Sequence, residues 1–298
     1  MSVCCQFTDV NGNIPNLFPQ APVYIRQDQN NTSYTITYLL VAGGGSSGVS
    51  KNAASGGGGA GGVVTSVLTI PQGITINIAV GSGGTIQLGG SVGISGGNTT
   101  ILIGSQVMTA YGGGGGGADF PPKENGLSGG SGGGGGASAL DTSYGTGGSS
   151  IVVSTGKQGY SGASGISNGV DAQAGGGGGG AIGTGSVGFI SPSVTGGTGG
   201  AGYQSSITGT STYYSAGGGG CGDNVAGANG TGWGGYGSGG NAGTNGGFPQ
   251  SGIQGCVIFS IPTSNYSGKY TGTQASGYPK QFGQNTILLF TGTGTYTT

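Results

Sequence analysis

The chain has 298 residues, among them 82 glycines, six Lys or Arg, seven Asp or Glu and no His, so its formal net charge is -1. Nucleic-acid binding requires a basic surface that neutralises phosphates, and general acid–base catalysis usually relies on His or on carboxylates with shifted pKa values. The composition therefore argues against a nucleic-acid partner and against an enzyme, and we expect no cofactor and no bound metal.

Strand-like sequences occur near both ends of the chain, where β-branched and aromatic residues alternate with polar ones. They occupy residues 33–42, 63–70, 74–80, 100–110, 253–262 and 285–297. No stretch has the composition of a long helix, and none reaches the roughly 18 apolar residues of a membrane span, so we expect no membrane insertion. The first residues lack the charged and apolar regions of a secretory signal, which predicts synthesis in the cytosol.

Runs of glycine follow several of these strands and fill the middle of the chain, at Gly56–Gly59, Gly112–Gly117, Gly132–Gly136, Gly175–Gly180 and Gly217–Gly220. Glycine-rich sequence usually forms flexible linkers. Polyglycine can also adopt the polyproline II helix, which has three residues per turn and no internal hydrogen bonds. The backbone groups of such a helix point outward and can bond to neighbouring helices. We predict a packed bundle whose structural core includes Gly57, Gly114, Gly134, Gly177 and Gly218.

These patterns predict an all-β fold with little or no α-helix, in which a β-sandwich or jelly-roll-like framework carries an inserted bundle of polyglycine II helices. Residues 38–110 and 251–298 are the two parts of the framework, and residues 111–250 are the glycine-rich bundle with its loops. Residues 1–37 are an N-terminal attachment segment. The final strand, residues 286–298, is expected to pair with a neighbouring subunit, because a chain end can add to an open sheet edge.

Several motifs in this order resemble a known family. They are "YLLVAGGGSSG" at 38–48, "GGGGAGGVVTSVLTIPQGITINIAVGSGG" at 56–84 and "GCVIFSIPTSNYSGKYTG" at 255–272. The pattern is similar to the glycine-rich domain of phage tail-fibre adhesins and of structural proteins of large DNA viruses. The resemblance covers residues 38–117 and 251–298 and leaves residues 1–37 unmatched. It implies polyglycine II helices packed on a β-sandwich, and a role on the outside of a virion or fibre.

Aromatic residues in the glycine-rich loops are the candidate recognition residues, because a rigid core can display them and because sugars present apolar C–H faces to aromatic rings. They are Trp233, Tyr236, Tyr213, Tyr214, Phe120 and Phe248. The alternative is that these rings cover the ends of a bundle that has no side chains of its own.

The four cysteines leave two alternatives open. Cys221 and Cys256 either form a disulfide or are two buried thiols. Cys4 and Cys5 either crosslink neighbouring subunits or stay reduced. None of the four has the spacing of a metal site.

The leading hypothesis is a structural virion protein, namely a fibre, spike or minor capsid component located in the virion. Its expected partners are other copies of itself or other virion proteins, with cell-surface glycans as a further partner. The alternative is a glycan-binding adhesin at the tip of a phage tail fibre. A weaker alternative is an ice-binding protein, which would need a flat array of regularly spaced Thr or Ala.

Overall fold

The computed structural model describes residues 32–51, 53–120, 125–153, 156–169, 171–222, 225–243 and 249–298. The chain divides into two compact units, Met1–Thr32 and Ser33–Thr298, and the fold described below is that of the second unit. Nearly all of the predicted attachment segment, including Cys4 and Cys5, lies outside the described residues. Among the residues that are described, no helix is long and apolar enough to cross a membrane.

The structure is all-β, as predicted, and its one helical element in the described residues is the single-turn 3-10 segment Thr263–Asn265. The strands of the main sheet are β1 (Ser33–Val41), β2 (Val63–Pro71), β3 (Thr75–Ala79), β4 (Thr99–Ile103) and β5 (Gln106–Ala110), followed after the glycine runs by β12 (Cys256–Pro262), β13 (Lys269–Gln274), β14 (Lys280–Phe282) and β15 (Asn285–Thr297). Between them lie the short strands β6 (Val152–Val153), β7 (Gly156–Lys157), β8 (Ile166–Ser167), β9 (Gln173–Ala174), β10 (Tyr203–Ser205) and β11 (Thr212–Tyr214).

Two details of the strand prediction differ from the structure. The segment predicted as one strand over residues 100–110 is the hairpin β4–β5, which turns at Gly104 with a φ of 57°. Glycine is favoured there because a side chain rarely adopts positive φ. Strands β13 and β14 were not predicted, because "KYTGTQ" and "KQF" are too polar and too short to stand out.

The main sheet has the strand order β2-β1-β12-β15-β3-β4-β5, with β13 and β14 also paired to β15. The first half of β15 pairs with β12 over Asn285–Phe290, and its second half pairs with β3 over Gly294–Thr297. Strands β13 and β14 occupy the other side of β15. The expectation that residues 286–298 pair with a neighbouring subunit is therefore wrong, because β15 has strand partners on both sides within its own chain.

The main sheet curls round on itself until its two halves face each other and β5 comes next to β2, so the framework predicted as a sandwich, and called the sandwich below, is a nearly closed, barrel-like sheet around one apolar core. Its fully buried members come from both halves and include Ile36, Leu40, Ile76, Ile101, Phe259 and Phe290. The opposite face of β1 and β12 is also buried, in a second cluster that contains Leu39, Val41 and Ile258. Burial on both faces explains why the sequence changes from alternating residues to a continuous apolar run at Leu39–Val41.

The glycine runs form the predicted bundle, and the run at residues 56–61 is surrounded by other runs. Along residues 56–61, successive N–H groups donate to three different neighbours and return to the same neighbour after three residues. The donor and acceptor pairs are Gly56 to Gly117 and Gly59 to Gly114, Gly57 to Gly176 and Ala60 to Gly179, and Gly58 to Gly240 and Gly61 to Gly237. A period of three is the period of the polyproline II helix.

Close approach, not backbone conformation, is what requires glycine in these runs. All five predicted core glycines lack the positive φ that favours glycine. A Cβ at Gly57, Gly134, Gly177 or Gly218 would lie 2.0 to 2.1 Å from a backbone oxygen of another run, and at Gly114 the distance would be 1.8 Å. No heavy atom can be accommodated at these distances, so the bundle has no room for side chains at these positions.

Candidate recognition surface

The bundle has one end on the sandwich and one end away from it. Run 43–48 leaves β1, and run 56–62 returns to β2 antiparallel to it, with Gly45 donating to Gly59 and Gly48 donating to Gly56. Run 112–117 leaves β5 parallel to run 43–48, and run 175–180 lies parallel to run 56–62. We call the end on the sandwich the proximal end and the other the distal end.

The direction of every described run assigns each loop to one end. The loops at the distal end, which together we call the distal face, are residues 49–51, 85–92, 118–120, 137–144, 166–169, 189–195 and 225–226. The distal face therefore collects segments that are more than 170 residues apart in sequence. Such a set of loops on a rigid support is a common arrangement for a binding surface.

Large apolar side chains project from the distal face into solvent. Leu88 is 85% exposed, Leu140 is 73% exposed and Phe189 is 65% exposed. Tyr144 and Val225 are exposed as well. Exposed apolar residues are ordinary on protein surfaces and also occur on the sandwich, as at Val107 and Phe282, but the two most exposed of them, Leu88 and Leu140, lie at the distal end.

One group of these residues is held together by backbone pairing. Phe189 and Thr195 exchange hydrogen bonds of 2.8 Å, and Val225 N donates to Val194 O while Gly196 N donates to Val225 O. Residues paired in this way place their side chains on the same side. Phe189, Thr195 and Val225 therefore form a continuous patch, which we call the Phe189 patch.

Among the candidate recognition residues that the structure describes, Phe120 alone lies at the distal end. It lies beside Asp119, which accepts a 2.6 Å hydrogen bond from the backbone N–H of Lys51. Phe120 and Asp119 line a cavity of about 20 Å³ together with Ala53, Ala139 and Leu140. That volume suits a single water molecule and is too small for a sugar.

Acidic side chains on this face are fixed by local bonds. The Asp141 carboxylate accepts hydrogen bonds from the hydroxyl and the backbone N–H of Ser143, and these bonds lower the pKa of Asp141. Ser167 Oγ donates to the carbonyl oxygens of Ser138 and Asp141, which joins two neighbouring distal loops. These two loops therefore constrain each other.

The other described candidates lie at the proximal end, against the sandwich. Tyr214 is 1% exposed and belongs to the second apolar cluster, with Tyr236 packed against the same cluster. Burial raises the pKa of both phenols. Tyr214 offers no surface to a ligand, so its assignment as a recognition residue is wrong.

Trp233 and Tyr213 stabilise the same region. The indole Nε1–H of Trp233 donates to the Gly239 carbonyl at 2.7 Å. The Tyr213 side chain lies under the backbone of Gly232, where an added Cβ would come within 2.3 Å of it. Both are half-buried, and the alternative that the rings cover an end of the bundle describes them better. Phe248 lies outside the described residues.

The two described cysteines are thiols in separate apolar clusters. Of the two alternatives, the disulfide between Cys221 and Cys256 is therefore wrong, and the pair of buried thiols agrees with the structure. Cys256 lies in the cluster behind β1, whereas Cys221 packs with Ala54, Ala137 and Ala242 inside the bundle. The Cys221 thiol is 3.9 Å from the Ala53 carbonyl oxygen. Burial strongly raises the pKa of Cys256.

Sequence reasoning missed Leu88, Leu140, Phe189 and Val225. A usable signal was present, since each of them lies in a segment that joins an outward run to a returning run. Counting alternate runs from the end of β1 would have assigned these segments to one end of the molecule.

The family model of a glycine-rich domain matches residues 27–262. No curated protein matches the chain.

Proposed function

Because the chain belongs to the family of glycine-rich domains, we propose that it is a structural protein of a virus particle, as a fibre, spike or minor capsid component. The observation that carries the proposal is the three-neighbour hydrogen-bond network of the bundle. It connects the sandwich to the distal face without a hinge in the described runs.

The network favours a mechanical role for physical reasons. Each glycine costs roughly 0.5–1 kcal/mol more backbone entropy on folding than alanine, so a bundle of this composition forms only if its backbone groups are bonded throughout. Bonds to three neighbours resist bending in more than one direction. Rigidity suits a particle component that must hold its loops at a fixed distance from its attachment.

The partners expected under this proposal are other copies of the chain or other virion proteins, and the site of action is the virion. The exposed face of β15, β3 and β13 carries few charges, and its threonines bond to one another. Thr271 Oγ1 and Thr295 Oγ1 are 2.9 Å apart, and Thr75 Oγ1 and Thr297 Oγ1 are 3.2 Å apart. These mutual bonds leave the hydroxyls less able to bind ice, so the ice-binding alternative receives less support.

The adhesin alternative is favoured by the Phe189 patch. An exposed aromatic ring beside a hydroxyl and a second apolar side chain can stack on the C–H face of a sugar and bond to its hydroxyl groups. Cell-surface glycans are the ligands that this chemistry would recognise.

The structural proposal is tested on purified particles. Antibodies raised against the recombinant chain should label intact particles by immunogold electron microscopy, and the chain should be present in a fixed ratio to the major particle protein by mass spectrometry. Recovery of the chain only in the fraction without particles would contradict the proposal.

The adhesin alternative is tested separately on a glycan array. Phe189→Ser should abolish binding, whereas Phe282→Ser should not, since Phe282 is 52% exposed on strand β14 of the sandwich. Equal loss in both variants, or binding that survives Phe189→Ser, would argue against recognition by the distal face.

A further inference from the structure

The main sheet is nearly closed, yet no ladder joins its two end strands, β2 and β5, in the part of the chain that the structure describes. The two strands approach each other at the junction with the bundle. There the N–H of Gly62, just before β2, donates to the carbonyl oxygen of Tyr111, just after β5, at 2.7 Å. We call the line along which β2 faces β5 the seam. Adjacent strands are normally joined by a row of backbone bonds, so the seam needs another means of closure.

Gln158 supplies bonds to both sides of the seam. Its backbone carbonyl oxygen accepts a 3.0 Å hydrogen bond from the N–H of Val63, the first residue of β2. Its side-chain Oε1 accepts from Tyr111 N at 2.9 Å, and its Nε2 donates to Thr109 O at 2.7 Å. A primary amide offers one acceptor and a donor, as a peptide group does. The side chain therefore bonds to β5 in the way that a neighbouring strand would.

The Gln158 side chain is fixed in a closely fitted position. It is only 6% exposed, and both ends of its amide have a partner at β5. Gly62 leaves room for it, because a Cβ at Gly62 would lie 2.6 Å from Oε1. An alkyl group or a carboxylate in its place would leave at least one buried backbone group at β5 without a partner, which is costly.

The bundle holds the segment that carries Gln158 at both of its ends. The segment begins at Ile151, whose N–H donates to Gly129 O at 2.7 Å. It ends at Tyr160, whose N–H donates to Gly180 O at 3.0 Å. The short strands β6 and β7 pair within it as a hairpin. Gln158 therefore connects the bundle directly to the seam.

Farther from the bundle, the seam is less completely packed. Val64 and Leu68 on β2 and Met108 on β5 are only partly buried against the main core. Ser66, which lies on the same side of β2 as Val64 and Leu68, is exposed. Regions with few backbone bonds and incomplete burial open at a lower free energy than the rest of a protein. The seam is such a region.

We propose that Gln158 is a clasp that controls local opening of the seam. When its bonds break, the β4–β5 hairpin moves away from β2 while the bundle and the other strands stay folded. Strand β5 is the one that moves, because its ladder partner among the described strands is β4 alone, whereas β2 pairs with β1 along all of its residues. Opening exposes the apolar side chains along the seam, including Met108. The inference is independent of the proposed virion role.

Hydrogen exchange of single amides, followed by NMR at low urea concentrations, tests the clasp in the folded full chain. The Gly62 amide should exchange faster than the amide of Leu40 in the central strand β1, and its rate should depend little on urea, because local opening exposes little surface. Gln158→Leu should accelerate exchange at Gly62 about 10- to 100-fold, since it removes both side-chain bonds. The Gly62 amide itself keeps its acceptor in this variant, so the change reports opening.

Trp233→Phe is the control for a general loss of stability. It removes a bond inside the bundle, which stays folded when the seam opens. It should accelerate exchange at Leu40, which requires global unfolding, and leave exchange at Gly62 unchanged. If Gly62 exchanges with the same rate and urea dependence as Leu40, or if Gln158→Leu leaves Gly62 at the wild-type rate, the clasp is overturned.

Gln158→Glu tests the donated bond to Thr109 O. The new carboxyl group can donate only when it is protonated, and its burial raises its pKa in the folded state. The variant should therefore resemble wild type below the ordinary Glu pKa of about 4.3 and lose stability as the pH rises above it. Relative to wild type at the same pH, exchange at Gly62 should be similar at about pH 4 and about 10- to 100-fold faster at about pH 7.

The matched control is Gln204→Glu. Gln204 is exposed, and its Nε2 donates to Ser211 Oγ, far from the seam in sequence. Exchange at Gly62 should equal that of wild type at both pH values in this variant. An excess rate in Gln158→Glu that is the same in acid as at neutral pH, or an equal effect of Gln204→Glu, would contradict the proposal.

Discussion

The indole of Trp233 donates a 2.7 Å hydrogen bond to the carbonyl of Gly239, six residues further along the chain. The bond closes the proximal turn that connects two glycine runs, so the largest side chain of the molecule maintains the bundle. The bond gives Trp233 a structural role, instead of the ligand-binding role that was predicted from the glycine-rich sequence around it.

Trp233→Phe should therefore reduce stability without changing any binding activity. The substitution keeps an aromatic ring but leaves the buried Gly239 carbonyl without its donor, at a cost of about 1–3 kcal/mol. Urea unfolding measures the change in free energy. Unchanged stability together with lost glycan binding would restore Trp233 as a recognition residue.

Gly114→Ala should severely destabilise the protein. Its Cβ would lie 1.8 Å from the Leu127 carbonyl oxygen, and neither backbone can move without displacing further runs. We expect a loss of roughly 3 kcal/mol or more in thermal or denaturant unfolding. Gly292→Ala is the control, since its Cβ would lie at an ordinary 3.4 Å from Thr273. Comparable stability of the two variants would show that the bundle is not closely packed.

Stability should be nearly constant around neutral pH and should fall in alkali. Burial raises the pKa of Tyr34, Tyr214 and Cys256 above the ordinary values of 10.0 and 9.0. A group whose pKa is raised in the folded state contributes its full stability below the unfolded pKa and loses it as the pH rises above that value. Unfolding should therefore begin above about pH 9–10, together with tyrosine ionisation measured by absorbance. With no His in the chain, a stability transition between pH 6 and 7, near the ordinary His pKa of about 6.5, would contradict this account.

The thiols of Cys221 and Cys256 should resist alkylation in the folded protein and react completely in denaturant. Both side chains are fully buried, and thiolate formation at Cys256 is disfavoured by its raised pKa. Peptide mapping after labelling measures each site separately. A peptide in which the two cysteines are joined would contradict the arrangement described.

Local sequence patterns predicted the apolar strands of the framework but not the polar strands β13 and β14. The change from alternation to continuous apolar residues in β1 indicates burial of one face and then of both. The division at residue 111 was less useful, because runs 43–48 and 56–62, which lie within the predicted framework segment 38–110, bond to the other glycine runs. The core glycines could be chosen from the glycine runs in the sequence, because no other residue fits where backbones touch.

The arrangement of the bundle could not be predicted in the same way. Every glycine is chemically alike, so nothing in a run identifies its neighbours, and Gly57 bonds to Gly176 across 119 residues of sequence. Tyr214 and Phe189 both lie close to glycines in the sequence. Tyr214 is nevertheless buried in the core, whereas Phe189 is exposed to solvent. That difference depends on whether the chain is turning at the proximal or the distal end.

The three-residue recurrence of bonding partners has a consequence for how such a chain can change in length. Inserting one or two residues within a run would redirect every later N–H of that run to the wrong neighbour, whereas inserting three would add a turn and preserve all the pairings. Gly112–Gly117 and Gly175–Gly180 each contain six glycines, which is two whole turns. The loops carry no such constraint, so the height of the bundle can change only in fixed steps while its surface varies residue by residue.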